Sequence, residues 1–426
     1  MKLDLRSSLL AAGSLVATGL PGTANASGII LYEWGTPDVG LASAGYTARA
    51  NDASTLFKNP AGMSRLSGSE FQGGAEMLFG SISFTPNSQT SAHLGSNDGG
   101  NAMPVIPEMS GFFTHKVNDR LAVGLGALSY FGLAEKYDEN WVGRYYLQKG
   151  AVVGMSLVPS VSYQLTDWLS IGAGANAMYG LLGSEMAINN LGLPDGQMKL
   201  QDEDWGFGAN AGVLIKLSER TRVGISYLSR VNLDFKDTPE FTRLGPVMAT
   251  ALNNAGLLTG QVNIGTTVPQ QVMAGVYHDL SDKWSVMLDG GWQNWEQFGM
   301  PTIGVVSTTT KSLTLDNDYQ NTWHLAGGAE FRPNTQWAFT GGIAYDSSPV
   351  TDANRSVMLP VGANWRFGLG ARWQISRCVN VGGAAELIWN GDLDVDQYRG
   401  PLAGRVSGTY ENSYIMVLAL NLKWDF

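Results

Sequence analysis

Only one cysteine, Cys378, occurs in the 426 residues, so no disulfide can form within the chain and no cysteine-based zinc site can be built. The four histidines, His93, His115, His278 and His324, are scattered, with no H-E-x-x-H pair and no G-x-S-x-G elbow. No metal, cofactor or catalytic residue is expected, and the glycine pairs Gly124-Leu125-Gly126 and Gly172-Ala173-Gly174 lack the full spacing of a dinucleotide loop. Positive charge is also short: 27 Lys and Arg against 37 Asp and Glu leave a net charge of −10. Nucleic acid is excluded as a partner, because a phosphate-binding face needs a basic surplus. Past the first residues there is no uncharged apolar run near the ~20 residues of a membrane-spanning helix. Any crossing of a bilayer must be made by strands closed into a ring, which pair every backbone group internally.

What is present fits that route. Lys2 and Arg6 precede an uncharged, largely apolar stretch from Leu9 to Leu20 and an A-x-A site at Ala24-Asn25-Ala26, so residues 1–26 read as a secretory signal peptide. The mature chain is rich in glycine (54 in the whole sequence) and aromatics (13 Trp, 15 Tyr, 15 Phe), with 15% charged residues and a mean hydropathy of −0.05. From Glu70 onward the pattern has period two, and the connections alternate. Short ones lie at Asn118-Asp119, Thr166-Asp167, Ser218-Glu219-Arg220, Ser281-Asp282, Pro333-Asn334 and Ser376-Arg377, and long ones between them. Bacterial outer-membrane barrels have this asymmetry of tight periplasmic turns and long outer loops. The count predicts an all-β, transmembrane antiparallel β-barrel of about 14 strands over residues 69–426. Two of these strands are predicted to run unbroken near 221–235 and 262–280.

The faces of the strands agree. Trp284, Val286, Leu288 and Trp292 alternate with Ser285, Asp289 and Gln293, while Trp365, Phe367, Leu369 and Trp373 alternate with Arg366, Arg372 and Gln374. The apolar set should face lipid, where a Lys or Arg at the midplane costs about 2–4 kcal/mol. The last strand carries Tyr414, Met416, Leu418, Leu420, Leu422, Trp424 and Phe426 on one face without interruption. Ending on Phe426, with Trp424 two residues before it, it looks like the signal by which outer-membrane barrels are recognised by their assembly machinery.

The stretch Ser27 to Leu66 is too irregular for a strand and too rich in Gly, Ala and Pro for one amphipathic helix, so it reads as a compact plug. Gly28-Ile29, Leu31, Glu33, Gly40 to Gly45, Asn51-Asp52-Ala53-Ser54 and Asn59-Pro60-Ala61-Gly62-Met63 resemble the N-terminal hatch of the FadL family of outer-membrane long-chain fatty acid transporters, which also includes channels for toluene and related hydrocarbons. The resemblance implies a hatch over residues 27–68 that closes the lumen. It also implies passive uptake of a hydrophobic small molecule: capture in an apolar groove among the outer loops, transfer to a pocket beside the mature N-terminus, and lateral exit at an inward kink in the third strand. The physical reason lies in the cargo, because a chain of a dozen carbons would lose roughly 10 kcal/mol of burial in crossing bare water.

On this reading Asn59, Pro60 and Ala61 form the hatch motif that anchors the plug to the barrel interior. Ile29, Ile30, Leu31, Tyr32 and Trp34 either line the pocket or simply fix the hatch to the wall. Gly124 and Gly126 are candidates for the lateral gate, since glycine inside a strand often marks a bulge. Inner-face charges, Asp289, His324, Glu330, Arg332, Arg366, Arg372 and Glu386, can pair with Glu33, Asp52 and Arg65 of the hatch. Alternatively, Arg366 or Arg372 pairs with a carboxylate head group. The remaining partners are outer-membrane lipid and lipopolysaccharide and the barrel assembly machinery, with a monomeric barrel in the outer membrane. A toluene-type channel and, further off, an adhesive or structural barrel are the competing readings. Apolar loop residues, Trp141, Tyr145, Tyr146 and Leu147 in the second long loop and Phe241, Leu244, Val247, Met248, Leu252, Leu257 and Leu258 in the fourth, argue against an adhesin, and the fourth long loop has room for a short helix and an entry groove.

Overall fold

The computed structural model describes residues 30–33, 36–254, 256–298, 302–306, 311–314 and 318–426; the expected signal peptide, Ile29 and Trp34 lie outside them. Sixteen strands share one antiparallel sheet. Two are three-residue additions near the outer rim, Phe84–Pro86 and Glu240–Thr242, and the other 14 close into a barrel. These are β1 (Ser69–Ser81), β2 (Ile106–Lys116), β3 (Leu121–Lys136), β4 (Lys149–Gln164), β5 (Leu169–Ile188), β6 (Gly196–Lys216) and β7 (Thr221–Leu228), followed by β8 (Gln271–Asp279), β9 (Trp284–Gln293), β10 (Thr322–Phe331), β11 (Trp337–Asp346), β12 (Asn364–Gln374), β13 (Val379–Tyr398) and β14 (Arg405–Asp425). Each pairs with its sequence neighbour, and β14 closes on β1 from Glu70↔Asp425 to Ser81↔Tyr414.

The short turns are closed by their own side chains. Asn118 Oδ1 accepts the backbone N–H groups of Arg120 and Leu121, and Asn334 Oδ1 accepts those of Gln336 and Trp337. Trp337 stacks on Trp373 across β11 and β12 with centroids 5.9 Å apart, and Trp284 stacks on Phe331 at 4.5 Å near the same end of the barrel. Tyr345 and Trp365, 5.0 Å apart, lie at the other end. Between these aromatic bands the outward set is aliphatic and exposed, including Leu288, Ile343, Leu369 and Leu420. This is the lipid-facing pattern of a membrane barrel. At the seam the N–H of Phe426 donates to the carbonyl of Ser69, and Phe426 packs on Phe113 at 6.0 Å.

Two expected strands are corrected. The 221–235 and 262–280 strands break at Ser229–Arg230 and at Pro269–Gln270, and their outer halves leave the wall. Proline has no N–H to give to a ladder, so the wall strand restarts at Gln271. The detached pieces, Val231–Asp237 and Gln261–Val268, pair with each other and with Thr302–Val306 and Lys311–Thr314 in a separate four-stranded sheet. Val231, Leu233 and Phe235 are fully buried against β5 and β6, where Gly180 and Gly206 leave room for them. The fourth long loop also contains a helix, Pro246–Asn254.

Candidate functional site

The segment from Thr36 to Leu66 folds as α1 (Thr36–Gly40), α2 (Thr55–Lys58) and a 3-10 turn over Pro60–Arg65, and it lies inside the ring. Its buried polar groups are met from the walls. Asp289 of β9 accepts the N–H groups of Gly45 (2.5 Å) and Thr47 (3.1 Å) and the Thr47 hydroxyl (3.0 Å). Arg222 of β7, stacked over Tyr277 at 3.6 Å, donates to the carbonyls of Ala48 and Arg49 and to Asn51 Oδ1. Asn210 of β6 donates to the carbonyls of Leu56 and Phe57, and Lys423 of β14 to that of Asn51. Within the segment Lys58 pairs with Asp38 at 2.5 Å, and Arg49 pairs with Asp52. Burial works against the charge on Asp52, but Arg49 and Lys58 outweigh it and hold the carboxyl well below its usual range. The ion pair of Asp52 is therefore made inside the segment.

Asn59 binds in three directions. Its Nδ2 donates to the carbonyls of Thr47 (2.8 Å) and Val213 (3.0 Å), and its Oδ1 caps the following turn by accepting the Ala61 N–H (3.2 Å). Pro60 opens that turn where no N–H is required. Asn59→Ala removes all three bonds, and a buried group left unsatisfied costs about 1–3 kcal/mol. Uptake by the variant is expected to fall several-fold with the folded barrel retained, measured as transport against the heat-modifiable band on a gel. Equal transport by variant and parent would contradict the anchoring role.

At the start of the described chain, Ile30 bridges to Phe131 of β3, and the Leu31 N–H donates to the Tyr130 carbonyl at 3.0 Å. Ile30, Leu31 and Tyr32 are buried. Tyr32 accepts from Gln293 Nε2 and lies 4.6 Å from the His324 ring and 5.1 Å below the Arg366 guanidinium. Glu33 pairs with Arg366, which also donates to Asp346 (2.8 Å) and stands 3.8 Å from Glu386. Arg366 is thus paired with carboxylates of the protein. Arg372 lies away from this group, 3.8 Å from Glu330.

Gly124 and Gly126 face the lumen, where a Cβ would meet Met63 Sδ and Leu56 Cδ1 at 2.9 Å. They admit the inserted segment but are not the kink, since both pair in regular register with Ser160 and Val158. The register shift falls between Ser129 and Phe131. From Tyr130 to Glu135 every residue is buried and the in-out alternation is lost, as expected for a strand drawn inward. Pairing of β2 with β3 stops at Gly111↔Ala127, and among the described residues Ile106–Met109 is in ladder register with β1 and not with β3. The wall is therefore open between β2 and β3 above Ala127, with Ile30 and Leu31 standing in the opening. The kink needs no glycine, because it sits where Tyr130 gives its carbonyl to Leu31.

Among the outer loops, Tyr145, Met198, Phe241, Met248, Leu252 and Leu257 line an apolar cavity of ≈ 260 Å³. Trp141 and Tyr146 have a different role, since both are fully buried and bonded to loop carbonyls. Among the described residues no group of His, Cys, Asp and Glu is placed to hold a metal ion.

The chain is 27% identical to a long-chain fatty acid transport protein of Escherichia coli O6:H1 (84% of this chain, 85% of that one) and 28% identical to outer membrane protein P1 of Haemophilus influenzae (88% of each). Its fold matches the crystal structure of a Pseudomonas aeruginosa FadL homologue with a TM-score of 0.84 at 22% identity, covering 94% of this chain and 100% of the other. It matches that of the Ralstonia pickettii toluene transporter TbuX with a TM-score of 0.66 at 18% identity, covering 93% and 99%. A family profile described as outer membrane protein transport protein (OMPP1/FadL/TodX) spans residues 17–426. The chain belongs to that family and is a transport protein of the bacterial outer membrane.

Proposed function

We propose that the protein takes up long-chain fatty acids or similar hydrophobic compounds by passive diffusion, gated by the segment of residues 27–68 acting as a hatch. The observation that carries this is the opening between β2 and β3 beside the buried Ile30, Leu31 and Tyr32, in a barrel whose lumen the inserted segment occupies. Cargo is captured in the apolar groove of the outer loops and held against the N-terminal residues, where Tyr130, Phe131, Val231, Leu233 and Phe235 form one apolar cluster with Ile30. It leaves sideways once Ile30 and Leu31 withdraw from β3. At about 0.8 kcal/mol per methylene, a route that keeps the chain covered at each step avoids the exposure a water-filled pore would impose. Trp424 and Phe426, exposed at the periplasmic end of the closing strand, serve the assembly machinery, and the barrel works as a monomer in lipid and lipopolysaccharide.

The reading is tested by uptake of radiolabelled oleate and toluene in cells lacking their own transporter. Oleate uptake supports it; toluene alone moves the protein to the hydrocarbon branch, and neither returns the adhesive or structural reading. Phe241→Asp combined with Met248→Asp puts two charges into the groove and is expected to lower uptake about tenfold at limiting cargo. Initial rates over a concentration series check this, and an unchanged low-concentration rate would remove the groove from the route.

A further inference from the structure

The stretch of β2 beyond its ladder with β3, Ile106–Met109, carries one ionisable side chain, Glu108, on the strand's lumenal face. Register places it directly opposite Glu76 of β1, which is buried. Residues so opposed have Cβ atoms about 5 Å apart, and like charges there repel. A proton shared between the two carboxylates relieves that repulsion. One oxygen of Glu108 has no hydrogen-bond partner among the described residues. Of the groups packed nearby, Glu33 of the inserted segment is close enough to act on Glu108 electrostatically, and it is itself held by Arg366, beside Asp346 and Glu386. The facing strand β3 offers Tyr130, whose hydroxyl accepts from Asn176 at 2.9 Å.

We propose that Glu108, together with Glu76, passes a proton to the carboxylate of a fatty-acid cargo at the wall opening, so that the cargo enters the bilayer as the neutral acid. This rests on the fatty-acid reading of the cargo. A carboxylate moving sideways from a polar lumen into hydrocarbon must lose its hydration, and the neutral acid avoids most of that cost. In the transfer the O–H bond on the glutamate pair breaks and an O–H bond forms on the cargo carboxylate. The pair, now doubly ionised, takes its next proton from water entering at the periplasmic end. The side chains on that approach are polar: Gln72, wholly buried with neither amide atom hydrogen-bonded among the described residues, lies on the same face of β1, and Asn421 of β14 stands opposite Gly74 between Gln72 and Glu76. Buried polar atoms of this kind are ordinarily met by ordered water.

The test compares oleate with oleyl alcohol, which has the same chain and nothing to protonate, in transporter-deficient cells expressing parent, Glu108→Gln or Glu76→Gln at equal levels of folded barrel. At pH 7.5 each variant is expected to lose about tenfold or more of its oleate uptake while its oleyl alcohol uptake stays within about twofold of parent. Lowering the external pH toward 5, where the cargo protonates itself, is expected to restore the variants. Oleate and alcohol falling together, or neither falling, overturns the proton-transfer role and leaves the uptake reading standing. A parent that carries the alcohol but not oleate overturns both.

Discussion

Replacing Gly342 and Gly368 by valine is expected to leave the barrel intact and to expel the inserted segment, raising ion conductance about tenfold or more as the lumen empties. A Cβ at Gly342 would fall on the carbonyl of Leu41, and one at Gly368 on the carbonyl of Val39. These are backbone atoms, so no rotamer change relieves the clash. The same relation recurs around the wall: Gly172 lies against Pro60 and Ala61, Gly212 against Asn59, and Gly224 against Thr47. Glycines on the lumenal faces thus let the plug approach the strand backbone. Valine favours strand conformation, so the substitution does not itself weaken the ladder. Planar-bilayer recordings on the purified double variant check the result, and a conductance equal to that of parent would mean that the plug tolerates the displacement.

Arg366→Met is the second large effect. It leaves Glu33 and Glu386 buried, and Asp346 half-buried, around an uncharged side chain, and removing one partner from a buried ion pair costs about 3–5 kcal/mol. The least costly relief is for Glu33 to leave, because among the described residues the backbone bonds between 30–33 and β3 are the Ile30 bridge and the Leu31 N–H. Limited proteolysis in membranes is expected to cut the variant near its N-terminus while parent is protected. Adding Glu33→Gln should recover part of the lost stability, because one of the stranded charges is then gone. An N-terminus equally protected in variant and parent would show that apolar contacts alone hold it.

The outer architecture was legible because lipid imposes a strict alternation. Trp365, Phe367, Leu369 and Trp373 can only face one way, and the 14-stranded ring and its direction of closure follow from repeating that argument. The interior was less legible. Arg366 meets Glu33 across more than three hundred residues, and nothing local marks that pairing. Alternation shows that Asp289, Arg222 and Asn210 face inward, but not that they bind the plug's backbone groups at Gly45 to Arg49 and at Leu56 and Phe57. The detached strand Val231–Asp237 kept period two as it left the wall, so its pattern reads as ordinary barrel strand. The kink escaped notice for a related reason: Leu128 to Phe131 has no glycine or proline, and the bend comes from the partner that Tyr130 finds in Leu31.

The claim that cargo leaves through the wall is tested most directly by photolabelling. Protein in a bilayer is given a fatty acid bearing a diazirine along its chain, irradiated, and mapped by peptide mass spectrometry. The lateral route predicts adducts on Ile106–Ser110, on Leu128–Phe131 and on Ile30–Tyr32, the two edges of the opening and the residues standing in it. Adducts at Gln72, Asn421 and Arg372, with those edges clean, would put the cargo straight through the lumen to the periplasm and contradict the account.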